Sequence, residues 1–174
     1  MRPTREVLVL VHRGEQVLVL RRVPEDPYWH VVAGGVEEGE TELEGAAREL
    51  LEETGLDASG VACDAAFRPR RLRWRGRLRR RPGRPEERSS GVSRVRSLAR
   101  RFRYPIAEEA PARQAQYPPG ARHVDVACFA VEAPTGWEPV LNEEHDEYRW
   151  CTVEEARALL RWDDVRRALA LLDD

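Results

Sequence analysis

Between Gly34 and Leu56 the chain reads GGVEEGETELEGAARELLEETGL, and this stretch constrains the fold more than any other. A glycine turn (Gly34, Gly35, Gly39) feeds a helix predicted over residues 41–54, opened by a Thr41/Glu44 capping box and closed by Gly55 at the C′ position. On a helical projection Glu42, Glu49 and Glu53 fall on one narrow stripe with Glu52 beside it, while Leu43, Ala47 and Leu50 occupy the opposite face. The apolar side has to pack on a core. The acidic side is poor helix design on its own, because like charges one turn apart cost roughly a few tenths of a kcal/mol. A hard divalent ion would supply the missing charge. Mg²⁺ is the natural candidate, since it takes oxygen ligands, keeps several waters and also coordinates substrate phosphates.

The flanking sequence predicts a sheet for this helix to cover. Residues 6–12 and 16–22 are Val/Leu-rich runs separated by Arg13-Gly14-Glu15, which reads as a β-hairpin. Further strands are expected at 28–32, 57–67, 123–131 and 147–151. Thr152 is placed to cap a helix over 153–160, and Asp163 a second over 165–172. Strands before and after one central helix, with two helices at the end, fit an α/β fold in which a mixed sheet lies between helical layers.

At 174 residues and 41% hydrophobic content, one globular domain over residues 1–174 with a real core is expected. Charge is unevenly spread. Residues 68–103 hold sixteen arginines against only Glu86 and Glu87, although the whole chain carries a formal charge of −2. Within this insert, residues 68–97 are dense in Arg, Gly, Pro and Ser and are expected to form a mobile loop. Such a segment could bind polyanions, RNA included, with steep salt dependence. Trp74 alone offers little base stacking, and a solvated insertion is the favoured reading. Cys63, Cys128 and Cys151 lack metal-type spacing, which points to a reducing compartment, with the cytoplasm as the default. The apolar run starting at Val7 ends at His12-Arg13, so neither a signal peptide nor a membrane span is expected.

The central segment resembles the box of the Nudix hydrolase superfamily, G-x5-E-x7-R-E-U-x-E-E-x-G-U with U aliphatic. Gly34, Glu40, Arg48, Glu49, Leu50, Glu52, Glu53, Gly55 and Leu56 fill every fixed position. The resemblance implies a Nudix-type α/β/α sandwich with a mixed β-sheet. Outside the box the chain is similar to the dihydroneopterin triphosphate pyrophosphatases of that superfamily. Leu20-Arg21-Arg22 before Tyr28-Trp29, Tyr117-Pro118-Pro119-Gly120, Glu144-His145 and Tyr148-Arg149-Trp150 carry that likeness. Diadenosine tetraphosphate hydrolases share parts of the same set. Ala33 departs from the group, which tends to have a small hydroxyl residue there, and Arg2 or Arg5 fills a basic N-terminal position.

By this resemblance Glu49 and Glu53 are metal ligands, and their i,i+4 spacing supports that independently. Glu144 would be a third ligand from a distant loop, its alternative being an exposed acidic turn. Glu52 is either a further ligand or the base that deprotonates the attacking water. Arg48 is expected to orient the glutamates, and Glu40 to fix the loop-to-helix geometry. Arg21 is the candidate for substrate phosphate, with an exposed strand residue as its alternative. Trp29 or Tyr28 would stack on a flat heterocycle, although Trp29 also suits the core. Ala33, Gly34 and Gly35 would line the substrate site. His30 and His145 could each be taken for a general base, but a lone histidine beside a strand is more often structural, and that is the reading favoured. The implied activity is Mg²⁺-dependent pyrophosphohydrolysis of a small nucleoside triphosphate-like molecule, with Mn²⁺ as a substitute and dihydroneopterin triphosphate as the first candidate. Diadenosine polyphosphates and RNA 5′ ends are alternative substrates, and a non-catalytic sensor or RNA-binding module is the alternative of another class.

Overall fold

The computed structural model describes residues 1–23, 27–58 and 95–172. Among these described residues seven strands form one mixed sheet: β1 (Arg5–Arg13), β2 (Gln16–Arg22), β3 (Tyr28–His30), β4 (Val32–Gly35), β5 (Val95–Pro105), β6 (His123–Glu132) and β7 (His145–Thr152). The path runs β3-β2-β1-β6-β5, with β4 on β1 and β7 on β2. β1 and β6 are parallel, and the other pairings are antiparallel. The β1–β2 hairpin pairs only at its tip, His12 with Val17 and Arg13 with Gln16. Below the tip the two strands part, β1 pairing with β4 and β2 with β7.

Side-chain parity divides the core in two. Val7, Val9 and Val11 of β1 join Leu18 and Leu20 of β2 under Ala46 and Leu50 of α1 (Glu42–Thr54). Leu8 and Leu10 join Val17 and Val19 on the opposite face, under α3 (Val153–Leu159) and α4 (Asp163–Ala168). Both faces of β1 and β2 are therefore buried, which their unbroken Val/Leu runs require. The result is the α/β/α arrangement expected. A short helix not anticipated from sequence, α2 (Pro111–Gln114), starts with proline at a position that needs no N–H.

α1 begins at Thr41, whose side chain accepts the Glu44 N–H while Glu44 returns to the Thr41 N–H. It ends on Gly55 at φ 71°, where a left-handed residue is needed. Thr152 and Glu155 form a second such box on α3. Two expectations need correction. Trp162, not Asp163, sits at the N-cap of α4, because Asp163 is already helical and its carboxylate pairs with Arg166; the helix then gives way to a 3₁₀ turn at Leu169–Leu172. The loop expected over residues 68–97, within the arginine-rich insert 68–103, does not reach residue 97: β5 begins at Val95. There Val95 and Leu98 are buried and Phe102 packs on the core, so a strand underlies the arginines. Residues 59–94, with most of the strand expected at 57–67 and of the mobile loop, lie outside the described residues, and Asp57 and Ala58 are not in a strand. Among the described residues no helix is long and apolar enough to cross a membrane.

Candidate active site

The acidic ridge of α1 lies over the β4 glycines. Gly34 pairs with Val7 of β1 and so faces α1. A Cβ there would overlap the carboxyl group of Glu49, so the missing side chain is what lets Glu49 settle on the sheet. One turn on, Glu53 is 3% exposed, and its Oε2 has no hydrogen-bond partner. Burial raises the Glu53 carboxyl well above the usual carboxylate range, and the neighbouring Glu49 charge pushes the same way. A hydrogen bond from the Ala33 backbone and the charge of Arg22 oppose the shift. Ala33 thus turns its backbone to a helix carboxylate. Burial also raises Glu49, opposed by Arg48 and reinforced by Glu52 and Glu144.

Arg48 stands at the centre of the ridge. Its guanidinium donates to Glu40 Oε1 (3.0 Å) and Oε2 (3.1 Å), to Glu49 Oε1 (2.7 Å), to Glu52 Oε2 (3.2 Å) and to the Gly35 carbonyl (2.7 Å). Glu40 in turn accepts the Glu37 N–H at 2.9 Å, which ties the glycine turn to the helix. A cleft of about 770 Å³ opens beside this network, bordered by Arg2, Arg5, Gly35, Glu37, Arg48 and Glu49.

Glu144 reaches the site from the turn before β7. It is close enough to raise the carboxyls of both Glu49 and Glu53, and its own Oε2 pairs with Arg22 Nη2 at 2.6 Å. The charges of Glu52 and Glu144 thus bear on Glu49, and those of Glu49 and Glu144 on Glu53. Even so, among the described residues no three acidic, histidine or cysteine side chains converge tightly enough to hold a metal ion as they stand. The reason is visible: Glu49 and Glu52 are turned to Arg48, and Glu144 to Arg22. The donor set nevertheless fits a hard cation, being all carboxylate oxygen with one buried oxygen left unpartnered.

Two sequence expectations fail on parity. Arg21 follows Val17 and Val19 onto the sheet face away from α1, where it forms a two-pronged pair with Asp146 (2.7 and 2.6 Å). It is the exposed strand residue of the alternative reading. Trp29, opposite Arg21 in the register, packs on that same far core and is covered by Arg149 at 4.6 Å from its ring centre. Arg22 is the arginine on the α1 face, with Tyr28 across from it in β3. Sequence reasoning passed over Arg22, and only the strand register could have separated it from Arg21.

The fold and site together define a domain with a glycine turn, an acidic helix and a clustered set of carboxylates over a mixed sheet. A family model, the NUDIX domain, matches residues 2–89, and the chain belongs to that family. The E. coli dihydroneopterin triphosphate pyrophosphohydrolase superposes with a TM-score of 0.71 at 21% identity, over 99% of this chain and 98% of that one, a likeness of fold. In sequence, the chain is 27% identical over 172 residues to an octanoyltransferase of Myxococcus xanthus, covering 96% of this chain and 36% of that protein. It is 39% identical over 54 residues to an RNA pyrophosphohydrolase of Wolbachia pipientis, 31% of this chain and 33% of that one. The chain thus spans about a third of the length of these curated relatives.

Proposed function

We propose that the chain, as a single Nudix domain, is a Mg²⁺-dependent pyrophosphohydrolase cleaving a diphosphate linkage in a nucleoside triphosphate-like small molecule, with dihydroneopterin triphosphate the first candidate. One observation carries this reading above the rest: a buried glutamate with an unpartnered oxygen, Glu53, one helical turn from Glu49. Such a group is costly to keep unless a ligand completes it.

Glu49, Glu53 and Glu144 would hold the ion, with Mn²⁺ as a substitute. When bound, the ion supplies charge neutralisation at the leaving phosphate and makes water more acidic. Arg48 holds Glu49 and Glu52 in place through charge-assisted bonds. Glu52, exposed at the edge of the ridge with one oxygen on Arg48, would act as a further ligand or as the base. Arg22 takes the role first assigned to Arg21, meeting substrate phosphate once Glu144 turns to the ion. Ala33, Gly34 and Gly35 would line the substrate site along β4: the missing side chain at Gly34 leaves room for the Glu49 carboxyl, and the Gly35 carbonyl accepts from Arg48. The free, buried Cys128 and Cys151 accord with a reducing, cytoplasmic setting.

Removal of pyrophosphate from RNA 5′ ends is the second reading, favoured by the 54-residue likeness to an RNA pyrophosphohydrolase. A screen of pterin triphosphate, nucleotides, dinucleoside polyphosphates and triphosphorylated RNA with Mg²⁺, with products identified, separates the two. Turnover of one small-molecule triphosphate well above RNA is expected, with loss of activity by several orders of magnitude in Glu53→Gln. Equal turnover by Glu53→Gln would overturn the assignment.

A further inference from the structure

Two imidazoles stand behind the turn that delivers Glu144. His30 of β3 and His145 of β7 are both buried, with ring centres 4.9 Å apart and Nε2 atoms at 2.8 Å. His145 Nδ1 is 2.8 Å from Asn142 Oδ1, and the same oxygen accepts the Glu144 backbone N–H at 3.2 Å. A backbone N–H can only donate, so the Asn142 atom must be the carbonyl oxygen, and His145 must donate from Nδ1. Neutral His145 then has a bare Nε2, and its contact with His30 requires His30 to donate from Nε2. The hydrogen bonds run one way, from His30 through His145 to Asn142, and end on the oxygen that shapes the Glu144 turn. At the other end, the chain runs from His30 through Val31 into β4, where the Ala33 backbone bonds Glu53.

The geometry points to His30, His145 and Asn142 as positioning residues: a strut of directed hydrogen bonds that keeps Glu144 in register with Glu53, so that two carboxylates from distant parts of the chain meet at one cation. This rests on the reading of Glu144 as a ligand. Among the described residues the other ties at this turn are the His145 N–H to the Asn142 carbonyl (3.3 Å), a Val23 N–H to the Glu144 carbonyl, and the partly exposed pair of Glu144 with Arg22, which must open when Glu144 turns to an ion. The first two hold backbone only, and none fixes the carboxylate in its ligating position.

The test is Mn²⁺ affinity of the full chain without substrate, read from the free-ion paramagnetic resonance signal, with Tm measured in parallel. His30→Phe keeps a ring and removes the donor; Asn142→Leu keeps the shape and removes the acceptor. Each is expected to weaken Mn²⁺ about tenfold, the lower end for residues that support a ligand from behind. His30→Gln, which retains an N–H, and Asn142→Asp, which retains the acceptor, are expected to recover most of the loss. In a Glu144→Gln background neither His30→Phe nor Asn142→Leu should weaken binding further. Should His30→Phe fold poorly, Asn142→Leu, in the half-buried turn, carries the comparison. Unchanged Mn²⁺ affinity in folded His30→Phe and Asn142→Leu, or the same loss with Glu144 already replaced, overturns the strut and leaves Glu144 as a ligand. Wild-type affinity in Glu144→Gln itself overturns both.

Discussion

The Glu49 carboxyl group occupies the space that a side chain at Gly34 would fill. Gly34 does not have the positive φ seen at Gly39 and Gly55, so alanine suits its backbone and the clash is purely one of volume. Gly34→Ala should therefore push Glu49 off the sheet without unfolding the domain. An activity loss on the order of 100-fold is expected, as for a ligand displaced by about an ångström, with little change in Tm. Turnover assays and thermal melts on the variant check this.

Adjacent arginines on β2 should behave oppositely. Arg22→Ala removes the guanidinium beside Glu144 and Glu53, and a marked fall in kcat/KM is expected. Arg21→Ala opens an exposed pair with Asp146 on the far face, and both activity and Tm should stay close to wild type. Steady-state kinetics of the two variants side by side decide between them.

The imidazole pair predicts a loss of stability in acid. Burial lowers His30 to about 3 and His145 to about 4, from an ordinary value of 6.5. The unfolded chain binds these protons first, so stability is full above about pH 6.5 and declines as pH falls toward 4. His30→Gln should flatten that decline. Melting curves from pH 7 to 4 on both proteins measure the difference.

How much of this was legible in the sequence follows from how local each signal is. α1, its caps and its acidic stripe are fixed within a few turns by Thr41, Glu44, Gly55 and the glutamates, and needed no tertiary information. The face taken by Arg21 was not legible, because β2 is buried on both sides and its apolar run does not alternate. Register with β3 and β7, a long-range property, sends Arg22 to the acidic ridge and Arg21 and Trp29 away from it. β5 was hidden for a different reason: a bulge between Ser97 and Arg101 breaks its period, and arginines cover its surface. The approach of Glu144 to Glu49 and Glu53 depends on the Asn142 turn and the two histidines, residues with no distinctive spacing.

A cation on the α1 ridge can be tested directly by a crystal structure with Mg²⁺ and a non-hydrolysable triphosphate analogue. The ion should be bound to the free oxygen of Glu53 and to Glu49, with Glu144 turned from Arg22 toward it and the phosphates beside the β4 glycines. A fully occupied analogue lying elsewhere, with Glu53 still buried and no ion against it, would contradict the account.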